Sequence, residues 1–141
     1  MRNRRTGSLA VAITIGCSAV LAGCAPSEGA ACPSWAWFPT AQERYDEAAA
    51  VVTTESLAPS GTEPIFQVDA NAYDVEVDTV EKGGLEAGST IRVVSMPDGC
   101  GTAYLEADPM SGSQDLRLYL RNMEGQWVTI TPSDGVEVLD R

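Results

Sequence analysis

Four cysteines, twenty acidic side chains and no histidine decide what chemistry this 141-residue chain can perform. Without an imidazole there is no Ser-His-Asp or Cys-His activation of a nucleophile, and no zinc site that needs a histidine ligand. Cys17, Cys24, Cys32 and Cys100 form no Cys-x-x-Cys pair, so nothing beside them lowers a thiol pKa or completes a metal ligand set. Asp74, Glu76 and Asp78 place three carboxylates on one face of an extended segment, as a calcium site could use. The EF-hand template is not met: Thr79 stands at its sixth position and Leu85 at its twelfth. The stripe reads instead as a solvated strand face, balanced by Arg92, Arg117 and Arg121 if their strands are its neighbours. Nothing distinguishes a glycosidase-type pair among the acids. A dinucleotide glycine fingerprint, a phosphate loop and a Gly-x-Ser-x-Gly elbow are all missing. The expectation is a non-catalytic protein with no metal and no cofactor.

The elements that position these residues begin with an export signal. Arg2, Arg4 and Arg5 precede an uncharged apolar run from Leu9 to Leu21, shorter than the roughly twenty residues of a membrane-spanning helix. Leu21-Ala22-Gly23-Cys24 follows and resembles the lipobox of bacterial lipoproteins. The resemblance implies that residues 1–23 are a removed signal peptide and that Cys24 carries a diacylglyceryl group. Its two acyl chains give the double signal that stable anchoring requires. Residues 24–31, rich in small residues, read as the lipidated cysteine and a flexible tether. The protein is then expected on the outer, extracytoplasmic face of a bacterial cell membrane, held by lipid. Arg4-Arg5 leaves open whether export is by the general or the twin-arginine route.

After such cleavage six basic and twenty acidic residues remain, a net charge of −14. That field repels phosphate backbones and anionic headgroups, which excludes nucleic acid as a partner and leaves membrane attachment to the lipid. Cys32 and Cys100 are the cysteines left once Cys17 departs and Cys24 is acylated. In an oxidising compartment they are expected to pair, closing a loop that the chain-entropy model values at roughly 4 kcal/mol.

The remainder, residues 32–141, reads as one all-β domain with one short helix. Trp35, Trp37 and Phe38 crowd together after Cys32, either capping a small core or forming an exposed binding surface. Thr40-Ala41-Gln42-Glu43 matches a capping box and starts a helix toward Tyr45. Strands are expected over residues 48–55, 73–80, 91–96, 116–121, 127–131 and 136–139, with a loop at Pro59–Pro64. The second and third should form a hairpin. Five to six short strands and one short helix indicate a small all-β barrel or sandwich.

The order Tyr73-x-Val75-x-Val77-x-x-Val80-x-Lys82-Gly83, Gly88 to Val93, Cys100-Gly101, Leu118-Tyr119-Leu120, Trp127 and Gly135-Val136 resembles the netrin/TIMP-like OB-fold over most of the mature chain. Cys32 and Cys100 match the family's bonded first cysteine and Cys-Gly cysteine, so the resemblance implies the same bridge. The inhibitors of that family chelate a protease zinc through the free amine of the first cysteine. Here Cys32 is internal and Ser34 stands where the family has a second cysteine. The expectation is therefore a membrane-anchored interaction module for an envelope protein or ligand. The alternative is a regulator of an exported metalloprotease, which requires processing that exposes Cys32.

Overall fold

The computed structural model describes residues 32–99, 101–112 and 115–140. The signal segment, Cys24 with its tether, and Cys100 lie outside the described residues. One helix, α1 (Ala41–Glu47), precedes eight strands: β1 (Ala50–Thr54), β2 (Ser56–Ile65), β3 (Val68–Glu76), β4 (Thr79–Lys82), β5 (Thr90–Val94), β6 (Leu116–Met123), β7 (Gln126–Thr129) and β8 (Val136–Val138). Thr40 opens the helix through the reciprocal cap read from its sequence: its hydroxyl accepts the Glu43 N–H at 3.2 Å. The Glu43 carboxylate accepts the Thr40 N–H at 3.0 Å, so two otherwise orphaned donors are satisfied. Ala48, extended at ψ 140°, ends the helix. Among the described residues no helix is long and apolar enough to cross a membrane.

All eight strands belong to one sheet, in the order β2-β3-β5-β7-β6-β1-β4, with β8 paired to β6. β3 pairs antiparallel with β5, with Asp74 opposite Arg92, but the strand expected over 73–80 breaks after Glu76 and its continuation, β4, pairs with β1, so the expected hairpin is corrected to a pairing that skips β4; β5 runs parallel to β7. The five- to six-stranded barrel is corrected on both counts: there are eight strands, and the sheet is open, with β2 and β4 at its edges. Glu55 separates β1 from β2, and Val77-Asp78 separates β3 from β4. Pro59 to Pro64, expected as a loop, lies inside β2. An edge strand tolerates proline because one side of it needs no ladder donor, and its register shifts between Pro59 and Thr62. Proline and irregular pairing on β2, and the four-residue length of β4, blunt both edges against further strand addition.

Alternation along the strands sorts side chains to two faces. On one, Val52 of β1, Val75 of β3, Val93 of β5 and Leu118 and Leu120 of β6 form a single core completed by Met110 from the β5–β6 connection. Strands supply nearly all of this core, and Tyr45 of α1 packs on the opposite face. The neighbouring residues point the other way. Val51, Tyr119 and Ile130 form one outer cluster beneath Phe38 and Tyr45, while Ile65, Ala72, Val94, Met96 and Val128 form another beneath Trp35 and Met123.

Candidate binding surface

Residues 32–39 have no regular secondary structure, yet they are tied down at both ends of the aromatic run. The Trp35 indole Nε1 donates to the Asp98 carbonyl at 3.2 Å. The Phe38 N–H donates to the Asp134 carboxylate at 3.1 Å, and its carbonyl accepts Arg44 Nε at 3.1 Å. This strap therefore crosses the outer face from one apolar cluster to the other. Trp35 seals the first and Phe38 the second. Trp37 stands between them with 77% of its surface exposed. Trp35, Trp37 and Phe38 thus do not share one surface: two cap core and one is offered to solvent.

Two further exposed hydrophobic residues join the strap. Phe66 and Gln67 form a two-residue turn between the paired Ile65 and Val68, both in the left-handed region at φ 49° and 65°. Such a turn favours asparagine or glycine, and a bulky residue held there costs about 1–2 kcal/mol. The Trp35 ring meets Phe66 edge-on, with centroids 5.7 Å apart, a contact that returns about 0.5–1.5 kcal/mol. Gly99 closes the junction, for a Cβ there would stand 2.7 Å from Pro33 Cγ and 3.4 Å from Phe66 Cβ. Leu105, 72% exposed, is held by its N–H donating to the Asp98 carboxylate at 2.7 Å. A continuous path of contacts therefore runs from Phe66 through Trp35 and Asp98 to Leu105. Shallow clefts lie at both ends. One is bounded by Phe66, Met123 and Glu124, and the other by Tyr104, Leu105, Glu106 and Pro132.

The segment carrying Leu105 is locked to the sheet by a buried carboxylate. Asp108 accepts from the Tyr73 hydroxyl at 2.6 Å, the Ser95 hydroxyl at 2.6 Å, Asn71 Nδ2 at 2.7 Å and the Met110 N–H at 2.9 Å. The Tyr104 hydroxyl donates to the Ser95 carbonyl and accepts the Asn71 N–H, each at 3.0 Å. Burial, and then the neighbouring Asp108 carboxylate, push the Tyr73 phenol far above its usual range. Burial raises Tyr104 as well. With four donors on Asp108 the arrangement is a structural anchor, and no acceptor capacity is left over for a substrate.

The acidic stripe is exposed but is not balanced as expected. Arg92 lies opposite Asp74 and pairs with Glu63 instead. Arg117 bridges Glu81 at 3.0 Å and Glu137 at 3.4 Å, and Arg121 donates to the Ile130 carbonyl. Register explains the difference, because Arg117 and Arg121 lie on β6, which does not neighbour β3. Among the described residues no group of three or more cysteine, aspartate or glutamate side chains is placed to hold a metal ion.

Cys32 is exposed at the start of the strap. Phe66, Leu105 and Glu124 escaped sequence reasoning. Phe66-Gln67 carries none of the usual turn residues, and an isolated leucine between polar neighbours carries no periodic signal at all. No family model matches the chain, and no curated protein matches it.

Proposed function

We propose that this protein is a lipid-anchored envelope module that binds a partner through the strap face and catalyses nothing. One observation carries the reading: three of the four large hydrophobic residues exposed among the described residues, Trp37, Phe66 and Leu105, are in the strap or joined to it by contacts. Apolar side chains gathered in this way mark interaction surfaces, whereas scattered ones do not. The lipobox-like Leu21 to Cys24 places the attachment point eight residues before Cys32, so the strap emerges close to the membrane.

The bridge between Cys32 and Cys100 belongs to the same proposal. Its support is that the neighbours of both cysteines touch: Pro33 lies against Gly99, and Trp35 bonds to Asp98. An OB-like arrangement with an open sheet is supported by the strand order. β1 and β2, separated by one residue, lie toward opposite ends of the order, so a single bent stretch of chain joins its two limbs.

The test is photocrosslinking in intact cells, with a photoreactive amino acid at position 37 or 105 of the full lipoprotein. The reading expects a discrete adduct from both positions and none from position 86, an exposed glutamate outside the path. Absence of adducts at 37 and 105, or the same adducts from 86, overturns it.

A further inference from the structure

The strap face is selective by charge as well as by shape, and we infer that its partner is a cationic protein segment presenting arginine or lysine beside apolar side chains. The inference rests on the binding reading above and adds the class of partner. Every cation among the described residues is engaged inside the fold. Arg44 is held by the Phe38 carbonyl and lies 3.9 Å from Glu137. Lys82 donates to the Tyr45 carbonyl at 2.6 Å and the Asp46 carbonyl at 3.1 Å. Arg92 is taken by Glu63, Arg117 by Glu81 and Glu137, and Arg121 by the Ile130 carbonyl.

Among the described residues no positive charge is therefore offered at the strap. The cleft beside Phe66 includes Glu124 and the cleft beside Leu105 includes Asp98 and Glu106, and neither contains a lysine or arginine. An exposed aromatic ring beside a carboxylate suits one kind of occupant. A guanidinium stacks on Phe66 while its charge meets Glu124 in the same cleft, and the segment's apolar side chains meet Leu105 beside Glu106. An anionic or neutral partner gains nothing from the carboxylates and, when anionic, is repelled by a cleaved chain of net charge −14.

A capped hexapeptide of alternating arginine and leucine is the probe. It is titrated into the full chain in neutral detergent micelles at physiological salt, where the Debye length is about 8 Å. The indole NMR signals of Trp35, Trp37 and Trp127 are followed. Trp127 lies on β7 with its ring packed against the inner core, on the face away from Trp35, and serves as the internal control. The arginine peptide should move the Trp35 and Trp37 signals and leave Trp127 in place. Binding should weaken about fivefold in E106Q/E124Q, the scale of losing exposed ion pairs, and stay unchanged in E47Q/E86Q. If a peptide with glutamine in place of arginine moves the strap signals equally, the cationic partner is overturned while the strap remains the binding face. If neither peptide moves them, or shifts spread evenly over the acidic surface, both readings fall.

Discussion

Replacing Asp108 by alanine removes one acceptor from four donors at once. The Tyr73 and Ser95 hydroxyls, each 2.6 Å away, and the Met110 N–H at 2.9 Å belong to buried residues, and Asn71 Nδ2 adds a fourth at 2.7 Å. A stranded buried donor costs about 1–3 kcal/mol. The four do not add, because hydroxyls rotate toward new acceptors and share the same void. The expected loss is about 3–5 kcal/mol, below the simple sum of four stranded donors, and a large part of the ~5–15 kcal/mol that holds a domain together. Asp108→Asn keeps the volume and one acceptor oxygen, so its loss should be about 1.5–3 kcal/mol. Urea unfolding followed by tryptophan fluorescence measures both. Exchange of the Asn71 amide, which donates to the Tyr104 hydroxyl, should accelerate in parallel as the segment carrying Leu105 loosens. An alanine variant within 1 kcal/mol of the wild type, or no less stable than the asparagine variant, refutes the anchoring role of Asp108.

Three other perturbations probe separate parts of the structure. Trp37→Ala should leave stability within about 0.5 kcal/mol, whereas Trp35→Ala should cost about 3 kcal/mol. Acrylamide should quench Trp37 far more readily than Trp35, and equal quenching contradicts the division of the strap. At alkaline pH, burial and then the Glu137 carboxylate hold the Tyr119 phenol up at about 12, with Tyr73 and Tyr104 raised as well. The folded state then keeps protons that the unfolded state releases near pH 10, so stability should fall as pH rises from about 10 toward 12. Tyrosine absorbance at 295 nm should lag and then rise with unfolding, and an ordinary titration of all tyrosines while the fold persists contradicts this. Gly135→Ala would bring a Cβ within 2.5 Å of Thr129 Cβ and 2.8 Å of the Thr131 carbonyl. Overpacking of that kind costs about 1–3 kcal/mol, and an unchanged thermal midpoint contradicts the packing at β8.

Local physics was legible in the sequence wherever it was sufficient by itself. The capping box placed α1, and the alternation at Tyr73 and Val75 and at Leu116, Leu118 and Leu120 placed the buried faces of β3 and β6, although the single strand expected over 73–80 breaks at Val77-Asp78. What escaped depends on distant partners. Pro59 to Pro64 reads as a loop until β3 is present to pair with one side of it. Phe66-Gln67 lacks turn chemistry because the cost of its conformation is offset by Trp35, thirty-one residues earlier in the chain. The aromatic run at Trp35–Phe38 was visible as a cluster. Its division followed from Asp98 and Asp134, whose positions no local pattern encodes.

The most direct test of a lipid-anchored module is the mass of the N-terminal peptide from protein extracted from membranes, read with and without reduction. The chain should begin at Cys24 with a diacylglyceryl group, and Cys32 should be linked to Cys100 until reductant is added. A chain beginning at Cys32 with a free amine, or an unmodified Cys24 within an uncleaved chain, contradicts the anchored module.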